Sequence, residues 1–167
     1  MRWWTAFLAG IVGAAIMTIL LSAAIAANFH VLDFSMMWGT LVGLPIGVAA
    51  WLVGFGIQLL VGGSFGLIYA VLFNAFSGAG ALRGGAIGLV HALITGILLP
   101  LLPLIHPLMN NGHMASPGAY FSGHGLAGVL FYFGIHAVYG VVVGWMYARL
   151  VPETRTVVDS GDLRIAA

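Results

Sequence analysis

Apolar residues run almost without interruption through four stretches of the chain, and the polar residues gather between them. Each stretch reaches the roughly 20 residues that a helix needs to cross a hydrocarbon layer about 30 Å thick. The pattern predicts an all-α membrane protein with transmembrane helices at about 3–27, 44–73, 84–105 and 125–150. These form one domain, 1–152, and a polar tail follows at 153–167 with Glu153, Arg155, Asp159, Asp162 and Arg164. Arg2, the apolar run and Ala24-Ile25-Ala26 imitate a signal peptide. The run over 5–27 is longer than the roughly 7–15 residues of a signal core, so a retained first helix is expected.

The stretches also resemble one another. At an offset of 78 residues, Phe55-Gly56-Ile57 recurs as Phe133-Gly134-Ile135, Gly62 and Gly66 as Gly140 and Gly144, and Tyr69-Ala70 as Tyr147-Ala148. Gly10, Val12, Ala14, Ile16, Ile19, Leu20 and Leu21 match Gly88, Val90, Ala92, Ile94, Ile97, Leu98 and Leu99 at the same offset. Two tandem related hairpins are expected, at about 6–74 and 84–152, related by a pseudo-twofold axis along the membrane normal. Gly62, Gly66, Gly84, Gly88, Gly140 and Gly144 form small-xxx-small series that let helix backbones approach closely.

Composition agrees with a membrane setting. Hydrophobic residues make up 62% and charged residues 5%, with a mean hydropathy of +1.11. Soluble domains carry about 25% charge, so a water-soluble fold is excluded. The net charge of +1 provides no basic surface for nucleic acid, and the lack of cysteine removes thiolate and iron–sulfur chemistry. Arg2, Arg83, Arg149, Arg155 and Arg164 all fall on one side of the predicted spans. Retention of arginine on the cytoplasmic face then predicts a protein integral to the cell (inner) membrane with both termini cytoplasmic and 28–43 and 106–124 outside. Trp3, Trp4, Trp38 and Trp145 fall near span ends, where interfacial aromatics belong.

Three groups of residues are candidates for chemistry. Gln58 and His136 are equivalent in the repeat, and with Tyr139 they are expected as polar groups inside the bundle, where a Gln58–His136 hydrogen bond would join the halves. His91 and His136 are candidate haem ligands. Counted from the flanking arginines, however, they stand at roughly 12 and 20 Å, which predicts different depths. The outer segments hold His30, Asp33, His106, His113 and His124, with Met109 and Met114, a set suited to a transition metal with copper favoured. Pro100, Pro103 and Pro107 bracket this region and are expected to break the helix there.

His136-Ala-Val-Tyr139-Gly140-Val-Val-Val-Gly144, with Arg83-Gly84 opening the third helix, resembles small uncharacterised four-helix bacterial membrane proteins. The resemblance covers about half of the chain and implies a helical membrane fold, with no activity or catalytic residue attached. No serine stands in a nucleophile motif, and neither a phosphate loop nor an intramembrane carboxylate pair is present. A non-catalytic protein is therefore expected, binding copper or haem at its outer face. The alternatives are a structural accessory subunit and a small oligomeric transporter or channel with a polar site near Gln58 and His136. Expected partners are the lipid bilayer and either further copies of the chain or a larger membrane complex.

Overall fold

In a computed structural model, residues 2–76 and 78–151 are described, so the tail at 153–167 lies outside the described residues. Seven α-helices follow one another: α1 (Trp3–Ala26), α2 (Phe34–Leu41), α3 (Val48–Ala75), α4 (Ala81–Leu98), α5 (Leu102–Ile105), α6 (Pro107–Asn110) and α7 (Gly125–Leu150). Tight 3-10 turns at Leu99–Leu101 and Ala119–His124 extend α4 and precede α7. Four helical stretches, Trp3–Ala26, Val48–Ala75, Ala81–Ile105 and Ala119–Leu150, are long and apolar enough to cross a membrane. Leu8, Ile19, Leu52, Leu60, Leu89, Ile97 and Leu130 point outward and are exposed, a continuous apolar exterior that lipid would cover.

The bundle is built from two tight antiparallel pairs. In the first, α1 lies against α3 so closely that a Cβ on Gly10 would overlap the Gly62 carbonyl, and one on Gly66 the Ala6 carbonyl. In the second, α4 lies against α7, and a Cβ on Gly84 would overlap the Gly140 carbonyl, one on Gly88 the His136 carbonyl. Between apolar helices in lipid, such close van der Waals contact replaces the hydrophobic driving force available in water. The pairs are joined mainly by α1 against α7, where the Tyr139 ring lies over Gly13. Arg2 closes this joint at one end, donating from Nη1 to the last-turn carbonyl of Leu150 at 3.1 Å. By contrast the α3 and α4 backbones stay apart and meet mainly through the side chains of Phe65 and Tyr69 against His91, which leaves a seam between the pairs.

The end of the bundle opposite Arg2, Arg83 and Arg149 differs from a pair of simple loops. After α1 the chain turns back, and α2 climbs again along the first half of α3, with Ser35 against Gly54 and Gly39 against Ala50. Gly54 is six residues along α3, so α2 begins roughly 9 Å below the end of that helix. The segment expected as a connection over 28–43 is therefore a re-entrant element. Burial of Leu32, Phe34 and Met37 holds it there, and the bare backbone of Gly39 and Gly54 admits it. Its helical turns and the cap from Met36 N to Asp33 Oδ1, at 3.0 Å, satisfy backbone groups that lipid could not.

The second connection also folds inward. Pro100 and Pro103 remove amide donors, and the run beyond Leu98 tightens into the turn and α5 before breaking at His106. The turn Ala119–His124 then returns onto α7 at Gly128, where Phe121 O and the His124 side chain occupy the space a Cβ would need. Tyr120 and Phe121 adopt φ of 53° and 63°, a left-handed conformation costing roughly 1–2 kcal/mol per residue. Complete burial of Phe121 against Phe34 and Tyr132 offsets that cost.

Two glycines of α7 should respond oppositely to the same change. Gly140→Ala forces the α4–α7 backbones apart and is expected to destabilise by about 1–3 kcal/mol. Gly134 is exposed and a Cβ there meets nothing, so Gly134→Ala is expected to stabilise by roughly 0.5–1 kcal/mol through helix propensity. Detergent-induced unfolding followed by circular dichroism measures both.

Candidate functional site

Where the two pairs meet, their large side chains hold them apart around a cavity of about 280 Å³. Most of its wall is apolar, from Ala14 and Met17 of α1, Val61 of α3 and Leu98 of α4. The polar lining consists of Trp38, Gln58, His91, Thr95, Tyr132, His136 and Tyr139, and among the described residues no carboxylate or arginine takes part. Val61 and Phe65 on α3, facing His91 and Leu98 on α4, place the cavity against the seam between these helices.

Hydrogen bonds orient nearly every polar group in this wall. The indole of Trp38 donates to Gln58 Oε1 at 2.9 Å. Because an indole N–H only donates, the Gln58 amide oxygen is committed and its NH2 remains for the cavity. Thr95 Oγ1 donates to His91 O at 2.8 Å and lies 2.7 Å from the Tyr132 hydroxyl, which also reaches Ala92 O at 3.3 Å. His136 Nδ1 stands 2.8 Å from the Tyr132 carbonyl and must carry the proton there, which leaves Nε2 of the neutral ring as an acceptor. Tyr139 donates across the bundle to Gly62 O, and Tyr69 hydroxyl lies 3.3 Å from His91 Nδ1. Among the described residues, Gln58 Nε2, His91 Nε2 and His136 Nε2 have no hydrogen-bond partner.

This geometry revises several expectations. Gln58 and His136 line one cavity but do not bond to each other, since Trp38 and the Tyr132 carbonyl engage them first. Trp38 is part of the cavity wall rather than an interfacial anchor. His91 and His136 are not at different depths: their rings meet edge to face with centroids 5.2 Å apart. The count from the arginines misleads because α7 overruns α4. Gly144 packs against Gly80 and Gly84, so Arg149 projects roughly 7–8 Å beyond the start of α4. Phe65 stacked on His91 at 4.1 Å and Tyr132 tilted against His136 at 4.3 Å leave no slot in which the two imidazoles would grip a haem.

The proposed metal ligands are dispersed. His106 is fully buried, with Nδ1 accepting from Met109 N at 3.4 Å and Nε2 directed at Met37 O, 3.1 Å, and Thr40 Oγ1, 3.2 Å. It clamps α6 to the re-entrant α2 and has no free nitrogen. Asp33 caps α2, and exposed His113 bonds Asn111 Oδ1 at 2.7 Å. His30 lies near His124 without a third ligand, and Met109 and Met114 pack into the apolar core. Among the described residues, no three His, Asp or Glu side chains are grouped to hold a metal ion. The geometry therefore supports neither copper nor haem.

Thr95, Phe34 and Phe65 belong to the site and carried no weight in the sequence. Thr95 had a readable signal, since it follows His91 by four residues and shares its helix face. Phe34 had none, because only the inward turn of 27–33 brings it to the cavity.

Among the histidines, structural weight should fall on one. His106→Leu leaves the Met37 carbonyl without its imidazole donor and is expected to cost about 1–3 kcal/mol, with faster amide exchange in α2 and α6. His113→Ala should stay within about 0.5 kcal/mol. Exchange mass spectrometry reads the difference. No family model, curated protein or solved structure matches the chain, and its function is read from this geometry alone.

Proposed function

We propose that this chain is an integral membrane protein made of two related hairpins, 6–74 and 84–152, with both ends in the cytoplasm. In this reading the cavity at their junction binds an uncharged lipophilic molecule, without catalysis. The kinship of the hairpins draws support from contacts that recur at the offset of 78. Gly10 meets Gly62 as Gly88 meets Gly140, and Ala6 meets Gly66 as Gly84 meets Gly144. The two inward-folding connections dock at equivalent places as well, on Ala50 of α3 and Gly128 of α7. The pairs Met17/Thr95, Gln58/His136 and Val61/Tyr139, each 78 residues apart, all line the cavity, as residues around a pseudo-axis would.

The observation that carries the binding reading is the set of unpartnered polar atoms, Gln58 Nε2, His91 Nε2 and His136 Nε2, facing a mostly apolar cavity. Polar groups in an interior are ordinarily bonded, and a bundle that served packing alone would fill this space and satisfy them. A ligand with an apolar body and a small polar head supplies what is missing. The seam between α3 and α4 gives it a route from the bilayer without passage through water.

Tryptophan fluorescence tests the pocket. Undecanol brominated at its tail should quench emission saturably, and Trp38→Phe should remove most of that saturable component. Val61→Trp, which fills the seam, should weaken binding at least about tenfold, a change of about 1.4 kcal/mol. Unsaturable quenching that is unchanged in both variants would refute the pocket. Orientation is tested separately in this cysteine-free chain. In intact spheroplasts an impermeant maleimide should label Asn111→Cys at once and Phe76→Cys only after permeabilisation. The reverse order overturns the orientation.

A further inference from the structure

We infer that the molecule held in this cavity is a flat phenolic ring on an apolar chain, of the hydroquinone class, and that the hydroxylated form binds in preference to the corresponding quinone. This rests on the binding reading above and adds the chemistry of the head.

Charge narrows the choice first. Among the described residues no acid or arginine lines the cavity, and an unpaired ion taken from water into such surroundings costs several kcal/mol. Fatty acids, phospholipid heads and amines are thereby disfavoured. Shape narrows it next. Trp38, Phe65, His91, Tyr132, His136 and Tyr139 bring rings from four helices to the wall, whereas aliphatic groups of α1 and α4 close the rest. Such rings stack on a conjugated plane for roughly 0.5–1.5 kcal/mol beyond the area buried, an advantage a saturated alcohol or sterol does not share. The volume, about 280 Å³, lies just below the roughly 300–1,000 Å³ of ligand pockets, so a ring fits inside and its chain must leave through the α3–α4 seam.

The hydrogen-bond polarity decides between oxidation states. Gln58 offers an N–H and requires an acceptor. His136 Nε2, fixed as an acceptor by the Nδ1 bond to Tyr132 O, requires a donor. A ring hydroxyl serves either: its oxygen accepts from Gln58, and a hydroxyl hydrogen is donated to His136. A quinone carbonyl accepts only. It satisfies Gln58 and leaves His136 facing another lone pair, and leaving a buried group unpaired reduces affinity.

Calorimetric titration of the full-length protein in detergent tests this with four probes of matched chain length: decylubiquinol kept reduced, decylubiquinone, decanol and decanoic acid. The quinol is expected to bind tightest, about tenfold better than the quinone. His136→Leu should bring quinol and quinone within about twofold of each other, and His136→Gln, which restores a carbonyl acceptor, should recover part of the preference. The comparison of probes on the unaltered protein needs no variant to fold. If decanol binds as tightly as the quinol, or the quinone does, the pocket stands and the inference about its head group falls. If none of the four binds, the pocket itself falls.

Discussion

Close approach of helix backbones at glycine is the constraint from which the rest of this structure follows. Lipid tails are as apolar as leucine, so these helices gain little by hiding leucine from lipid and much by packing atom against atom. Gly10 and Gly66 allow this between α1 and α3, and Gly84, Gly88, Gly140 and Gly144 between α4 and α7. A bundle assembled from two such pairs cannot be equally tight everywhere. Where the pairs face each other, the contacts are made by Phe65 and Tyr69 against His91, Tyr69 and Gly13 against Tyr139, and Phe73 against Tyr147 instead, and the volume of these rings props the halves apart. The cavity is thus a geometric consequence of strong pairing within hairpins combined with bulky contacts between them.

Inside that space the rules for buried polar groups become selective. Hydroxyls and amides in an apolar interior must find partners, and most here do: Thr95 with the His91 carbonyl, Tyr132 with Thr95, Tyr139 with Gly62 O, Trp38 with Gln58. Each bond also fixes which atoms remain uncommitted. A donor on Gln58 and an acceptor on His136 are left in the wall, so the network that stabilises the interior also defines the polarity of the site.

The inward-folded connections complete the enclosure. The α2 helix brings Phe34, Met37 and Trp38 to the cavity from the end opposite the arginines, and the turn Ala119–His124 brings Phe121 against Phe34 with ring centroids 5.5 Å apart. His106 ties the two connections together through α2 backbone and Thr40. One wall of the cavity therefore comes from segments that the hydropathy pattern alone assigns to connections, and the left-handed Tyr120 and Phe121 show that the chain accepts backbone strain to place them.

Local chemistry was enough to read four spans, their breaks at Pro100 and Pro103 and the glycines of close packing, because run length, missing amide donors and missing side chains act where they stand in the chain. The same residues also marked Gln58, His136 and Tyr139 as interior groups, since polar atoms in an apolar run have few other places to go. Partnership between distant residues was not legible. That Trp38 reaches Gln58, that Phe65 covers His91, and that His106 turns inward while His113 stays in solvent depend on how helices overlap along the bundle axis, and Arg149 projecting about one and a half turns beyond the start of α4 displaced the depth counted from it. Sequence by itself determined that this chain suits a membrane and where its helices pack. Only the tertiary structure decided that the histidines of the connecting segments scatter and that a cavity with uncommitted polar atoms on Gln58, His91 and His136 lies between the halves, because both depend on relative placement of helices rather than on any residue's own preference.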